Sequence, residues 1–327
     1  MPCTVASERR PGSGTRRLGV LGTLVRDTIH RYGSDRPAEG WGGIAYSLVA
    51  FDAVAPPGWT LVPLVKVGGD LYDDATAWLC SFSRVGDSAF VLRVPEPNNR
   101  VELVYSTPSD RTETLTGGVP GWSAAEMGEA LPALDALYVN FIAGWELDLA
   151  AARRLRAVFR GPTYADLHSL FMDIGADGRR RPRPMADAEA WARCFDTVQM
   201  NRDEFALFGG DAGDPWAAAV WALAGRTGTI AVTHGDDGVE LMTTAARTGP
   251  PRHHRLPVPD GPAPGDPTGC GDIWGAAFFA GTLGGDDPIV AATKANRMAR
   301  GKLRSSGAEA FRTSLAAPES SPASRAM

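Results

Sequence analysis

The chain has 327 residues, the size of one large α/β domain with an accessory piece or of two medium domains. Its 44% hydrophobic and 22% charged residues suit a soluble protein with a sizeable core and exclude wholesale disorder, while 38 Gly and 25 Pro disfavour a coiled coil or helical bundle. A net charge of −5 argues against nucleic acid as a partner, and the longest uncharged apolar run, residues 273–285, is shorter than the roughly 20 residues needed to cross a bilayer, so no membrane association is expected.

Residues 1–17 carry four arginines and no apolar run, which predicts a floppy tail over 1–16 without the hydrophobic region of a secretion signal. Residues 18–24 read as a strand leading to Asp27, 46–54 as a buried helix, and 60–67 as a strand ending at Gly68-Gly69-Asp70, followed by a helix over 71–82. Two stretches break this rhythm, 30–41 and 90–115. The second alternates Val101, Leu103 and Tyr105 with period two, and together they predict a small sheet laid over the main body. From there strands are expected at 136–142, 163–167, 197–200 and 229–233, interleaved with helices at 147–159, 186–195, 202–208 and 215–224. Strand and helix in repeated alternation predict an α/β fold with a mainly parallel sheet covered on both faces, and ligands in such sheets sit outside the carboxyl ends of the strands. The small, polar residues 314–327 read as a second disordered tail. Cys3, Cys80, Cys194 and Cys270 are far apart and too few to staple the chain, which suggests a reducing, cytoplasmic setting.

The most informative segment is Gly265-Asp266-Pro267-Thr268-Gly269-Cys270-Gly271-Asp272, which precedes the apolar run IWGAAFFAG. Proline and three glycines ahead of a helix describe a loop whose bare N–H groups converge at the positive helix end, an anion site. A carboxylate beside a bound phosphate is unfavourable without a task, and the task Asp272 suits is to take the proton of an attacking hydroxyl as general base. The plainer alternative is a tight turn in which Asp272 caps the helix. No P-loop, no G-x-G-x-x-G after the first strand, no G-x-S-x-G and no H-E-x-x-H occurs, which weighs against P-loop, dehydrogenase and hydrolase chemistry.

DPTGCGD resembles the D-T-x-G-A-G-D signature of the ribokinase/PfkB carbohydrate kinase family, with Pro267 in place of Thr and Cys270 in place of Ala. Neither departure removes a donor from Gly269 to Asp272. Other stretches follow the family's order. Asp27 after the first strand, the Gly42-Gly43 pair and Ser47 fall where the family contacts its substrate. Lys66-Val67-Gly68-Gly69-Asp70 resembles its G-x-D turn. Asn201-Arg202-Asp203-Glu204 matches N-x-x-E, Thr233 to Gly238 resembles the T-x-G-x-x-G nucleotide turn, and Asn296 falls on the helix near adenine. The resemblance implies a ribokinase-like three-layer α/β/α domain over 17–313, with a small β lid from segments near 28–44 and 90–116. It implies ATP as donor, bound near Asn201, Glu204, Thr233, Gly235, Gly238 and Asn296, with Mg2+ held through water at Glu204. Gly269, Cys270 and Gly271 would form the anion hole, Asp27, Gly42, Gly43 and Ser47 would hold the substrate, Asp272 would be catalytic, and Asp266 would serve a monovalent cation such as K+.

Each motif also has an ordinary structural reading. Asn201 and Glu204 three residues apart make a capping box, and glycine pairs make turns. Ser47 stands where the family often has an Asn and reaches less far, which leaves the acceptor open between a sugar and a nucleoside. Trp41 and Tyr46 near the glycine pair suit stacking on a sugar or base, or plain core packing. His168 in Asp166-Leu167-His168 reads as a strand-end residue or a phosphate neighbour. His253-His254 reads as a solvated loop, and Arg100 and Arg111 as lid cations that attract an anionic acceptor or face solvent. A homodimer through an apolar face of the lid is expected. The alternatives are a nucleoside kinase of the same fold, a binding protein without chemistry, and an oxidoreductase that no motif supports.

Overall fold

The computed structural model describes residues 14–107, 110–209, 214–225, 227–244 and 250–316. Nine strands form one sheet, in the order Arg252–Leu256, Val239–Thr243, Thr229–Thr233, Thr197–Asn201, Thr163–Asp166, Ala136–Asn140, Arg16–Leu21, Trp59–Gly68 and Val91–Val94. The seven strands from Thr229–Thr233 to Val91–Val94 run parallel, and the two at the other edge are antiparallel. The parallel strands read as continuous apolar runs because both faces are covered: all five residues of Ala136–Asn140 are buried. Two separate hydrophobic clusters bury them. One lies under the helices Ile44–Val54, Cys270–Leu283 and Pro288–Lys302, and the other under the helices around Leu149–Val158 and Pro215–Leu223. The fold is thus the α/β type with a mainly parallel sheet between two helical layers.

A second sheet of four strands, Ala38–Gly43, Leu24–His30, Arg100–Tyr105 and Arg111–Thr116, stands beside it. Strand Arg100–Tyr105 buries Val101 and Leu103 and exposes Arg100, Glu102 and Val104 in alternation with them, as a sheet with one dry face requires. The dry face packs Val25, Ile29, Val101, Leu103 and Leu115 against Ile142 and Ala143 of the main body. The apolar face expected to serve a dimer is therefore covered by this same chain.

Four sequence expectations change. Val91–Val94, placed by its alternation in the small sheet, extends the main one instead, because it pairs in parallel with residues 65–68. His253 and His254 lie on the strand Arg252–Leu256 rather than in a loop, and His253 packs edge-on against Trp216. Cys194 and Cys270 are free thiols, whereas Cys80 is disulfide-bonded, so the reading of four unstapled cysteines fails there. Of the expected tails, Arg16 already belongs to the first strand and residues 314–316 to the helix Gly307–Ala316; 1–13 and 317–327 lie outside the described residues.

Candidate active site

The strands Arg16–Leu21, Ala136–Asn140, Thr163–Asp166 and Thr197–Asn201 end side by side, and polar residues cluster at those carboxyl ends. Against them lies the start of helix Cys270–Leu283, which the loop from Gly265 delivers with its positive end toward the cleft.

Gly269 caps this helix with φ of 80°, and a methyl group there would lie 2.4 Å from the Tyr46 ring, so only glycine allows the approach. Among the described residues no main-chain carbonyl accepts from the N–H of Gly269, Gly271 or Asp272. Cys270 differs from expectation, because its N–H closes a turn on the Pro267 carbonyl at 3.1 Å. The loop therefore offers three bare donors rather than four.

Asp272, in the first turn, is partly buried, and its Oδ1 accepts a 2.6 Å hydrogen bond from Asn140 Nδ2. Burial raises its pKa above the ordinary carboxylate value, opposed by the Asn140 hydrogen bond and by the positive charges of His168 and Arg111. Asn140 was not singled out in the sequence. The signal available was an Asn as the last residue of an all-apolar strand, where ligands of such sheets gather. Ser47 is fully buried behind it: its Oγ lies 3.3 Å from Asn140 Nδ2 and from the Tyr138 hydroxyl, and it donates at 3.4 Å to the Asp272 carbonyl. The side chain expected to touch substrate is instead part of the packing that holds Asn140.

Asp27, on strand Leu24–His30, is buried against the glycine pair: a methyl group on Gly42 would sit 1.8 Å from its Oδ2. Burial, with the negative charges of Glu113 and Asp272 nearby, pushes its pKa to about 8. Gly43 closes its strand and caps helix Ile44–Val54. Asp166 is also pushed to about 8, by burial and then by Glu204 and Asp272. Its oxygens accept from Gln199 Nε2 at 2.9 Å and from the His168 N–H at 3.2 Å.

Asn201 and Glu204 do form the capping box: Asn201 Oδ1 accepts from the Asp203 and Glu204 N–H groups at 2.9 Å, and Glu204 Oε2 accepts from the Asn201 N–H at 2.7 Å. Glu204 Oε1 takes Asn201 Nδ2 and His168 Nδ1. Burial lowers the His168 pKa, but the Glu204 charge and hydrogen bond outweigh it and leave the imidazole at about 9, hence cationic at neutral pH. His168 is thus more than a strand-end residue, since it places a positive charge among the carboxylates.

Thr233, Gly235, Gly238 and Asn296 line one cavity of about 140 Å³ together with Cys270, Gly271 and Trp274, so four of the expected nucleotide residues meet the loop before Asp272, while Asn201 and Glu204 are not among its walls. The polar atoms of Asn296 are engaged in its walls, with Oδ1 accepting from Trp274 Nε1 at 2.7 Å and Nδ2 donating to the Pro257 carbonyl at 3.1 Å. Trp41 packs on Trp78, and Tyr46 is buried against Gly269, so both aromatics are core. Asp266, expected to serve a cation, has two side-chain cations on its Oδ2, Lys302 at 3.3 Å and Arg31 at 2.8 Å. Of the lid cations, Arg100 pairs with Asp70 at 2.7 Å, and Arg111 donates to the Tyr105 hydroxyl, which meets Thr268 of the anion loop at 2.9 Å.

Solved structures share this architecture. A ribokinase from Thermotoga maritima superposes with a TM-score of 0.69 at 17% identity over 92% of this chain and 98% of its own. A pyrophosphate-dependent kinase of the ribokinase family gives 0.73 at 17% identity, over 92% and 100%. A Burkholderia thailandensis nucleoside kinase in complex with inosine gives 0.69 at 16% identity, over 91% and 95%. No curated protein matches the sequence. The family model described as pfkB family carbohydrate kinase matches residues 67–314, a span that holds both the capping box at Asn201 and the anion loop before Asp272. With the order of motifs, the fold and the family model in agreement, the chain belongs to the pfkB carbohydrate kinase family.

Proposed function

We propose that this chain transfers the terminal phosphoryl group of ATP to a hydroxyl of a sugar or sugar-like small molecule, with Asp272 as general base. The observation that carries the reading is the Asp272 carboxylate, aimed by Asn140 and set in the same helical turn as the bare N–H groups of Gly269, Gly271 and Asp272. In the transfer, the acceptor oxygen bonds to phosphorus as its proton passes to Asp272, the bond to the ADP oxygen breaks, and the three N–H groups hold the charge that spreads over the migrating group. Asp27, near neutral at pH 7, sits beside Gly42 where it offers a carboxyl to acceptor hydroxyls.

A nucleotide suits the donor cavity better than bare pyrophosphate, because beyond the loop its walls, which also carry Asp236 and Arg300, include Val258, Ala263, Trp274 and Leu303, apolar surface that a base covers and a pyrophosphate does not. Nothing favours a nucleoside acceptor through Trp41 or Tyr46, which are buried in the core. Magnesium fits only through its water shell. Among the described residues no three His, Cys, Asp or Glu side chains converge as direct ligands. Of roughly four acceptor positions on the Glu204 carboxylate, those facing Asn201 and His168 are taken and one on Oε2 is left for a water. When bound, the ion offsets the charge of the donor phosphates.

The test is ADP release with ATP across sugars, cyclitols and nucleosides, run beside Asp272→Asn and beside pyrophosphate as donor. Release with a hydroxylated acceptor that the variant abolishes supports the reading. Equal turnover by the variant removes Asp272 from its role.

A further inference from the structure

Asp266 heads the anion loop, and the resemblance to ribokinase-like kinases implies a monovalent cation beside it. The residues present do not fit that ion. Lys302, in the last turn of helix Pro288–Lys302, has no exposed surface. Its ammonium donates to the Asp266 main-chain carbonyl at 2.9 Å and lies 3.3 Å from Asp266 Oδ2. The Tyr46 ring, whose centroid is 5.5 Å away, covers another side. Arg31, beside the small sheet, donates to the same Oδ2 at 2.8 Å, while Oδ1 accepts from the Thr268 N–H at 3.0 Å.

A carboxylate oxygen and a main-chain carbonyl at one spot are what a hard monovalent ion takes, and here an ammonium of the same charge takes them. A third positive charge beside one carboxylate meets repulsion from two that are already in contact, with no further carboxylate on Asp266 to offset it. The choice of lysine is also a matter of burial. A fully buried cation persists only when paired, and burial pushes the Lys302 pKa down while Asp266 pulls it back up. The consequence reaches the site itself. Asp266 fixes Thr268 through its N–H, and the next residue, Gly269, begins the run of bare donors.

We propose that Lys302 is a built-in counter-ion, a positioning residue whose ammonium holds the anion loop in its phosphoryl-binding shape without K+ or Na+. The inference rests on the loop's being the site of the ATP phosphates. Its test separates the two ideas by reading stability as well as binding.

Wild-type protein and Lys302→Ala are compared in tetramethylammonium chloride, an ion too large for the spot, and in KCl or NH4Cl at equal ionic strength. Tm and the Kd for ATP are measured in each. The wild type is expected to show the same Tm and, within about twofold, the same Kd in all three salts. Lys302→Ala is expected to bind ATP about 10-fold or more weakly in tetramethylammonium, and to regain both affinity and Tm when K+ or ammonium refills the place. A wild type whose Tm and ATP affinity rise selectively with K+ overturns the proposal, whether or not the variant folds. So does a Lys302→Met variant that is as stable and binds as well as wild type in tetramethylammonium. Absence of ATP binding under every condition defeats the kinase reading instead, and the Tm comparison across salts still decides the role of Lys302.

Discussion

Asn140 Nδ2 donates 2.6 Å to Asp272 Oδ1, and Ser47 Oγ lies 3.3 Å from the same nitrogen. The amide is thus clamped from behind by a hydroxyl that is itself fully buried, and its orientation is what aims the carboxylate. Asn140→Ala is expected to lower kcat about 10- to 100-fold, the worth of one hydrogen bond to a charged group, while the Kd for ATP stays within about twofold. Ser47→Ala, acting one step further back, should lower kcat less. Steady-state kinetics with parallel calorimetry separates the two, and an unchanged kcat in Asn140→Ala would remove the clamp from the mechanism.

For Asp272→Asn, loss of a general base predicts a fall in kcat of about 10²- to 10⁴-fold with ATP binding retained. Single-turnover phosphoryl transfer, measured against the Kd for ATP, reports both quantities.

Gly42→Ala places a methyl group where Asp27 Oδ2 now lies, at a separation of 1.8 Å. The carboxyl must swing away or the strand Ala38–Gly43 must shift. We expect KM for the acceptor to rise about tenfold or more with a smaller change in the Kd for ATP, since the proposed reading gives Asp27 beside Gly42 to the acceptor hydroxyls. Gly40→Ala, on the same strand with open space around its Cβ position, is the control and should leave KM unchanged.

The pKa of Asp27 is raised to about 8 from the ordinary 3.8. A carboxyl whose folded value exceeds its unfolded value stabilises the fold below about pH 4, and that contribution is lost as pH rises through about 8. Wild type should therefore lose stability relative to Asp27→Asn across this window. The two should have matching Tm near pH 4, and Asp27→Asn should be more stable by several degrees at pH 8.5. Differential scanning calorimetry at the two pH values checks this, and a Tm difference that does not change with pH would show that Asp27 is not titrating as described.

Much of the fold was legible because its signals are local. Strand 229–233 and helix 215–224 announce themselves by apolar period and by Asp214-Pro215 at the helix start, where Asp214 Oδ1 accepts from the Trp216 N–H. The capping box at Asn201 and Glu204 was equally readable, since it depends on a three-residue spacing. Val91–Val94 was misplaced because alternation gives the pleat of a strand but not its neighbour. That neighbour is decided by the parallel pairing with residues 65–68, more than twenty positions earlier.

What the sequence by itself determined was the α/β architecture and the presence of a glycine-rich loop with an acid at the start of a helix, because backbone propensity, turn chemistry and helix polarity all act over a few residues. Only the tertiary structure decided how those parts work together: that Asn140 aims Asp272, that Ser47 is packing, that His168 is a cation beside Glu204, and that Lys302 occupies the place by Asp266. The physical reason is that each is a contact across 36 to 132 residues of chain, set by which strand ends and helix ends the core brings together. Burial at those ends then fixes the charge states.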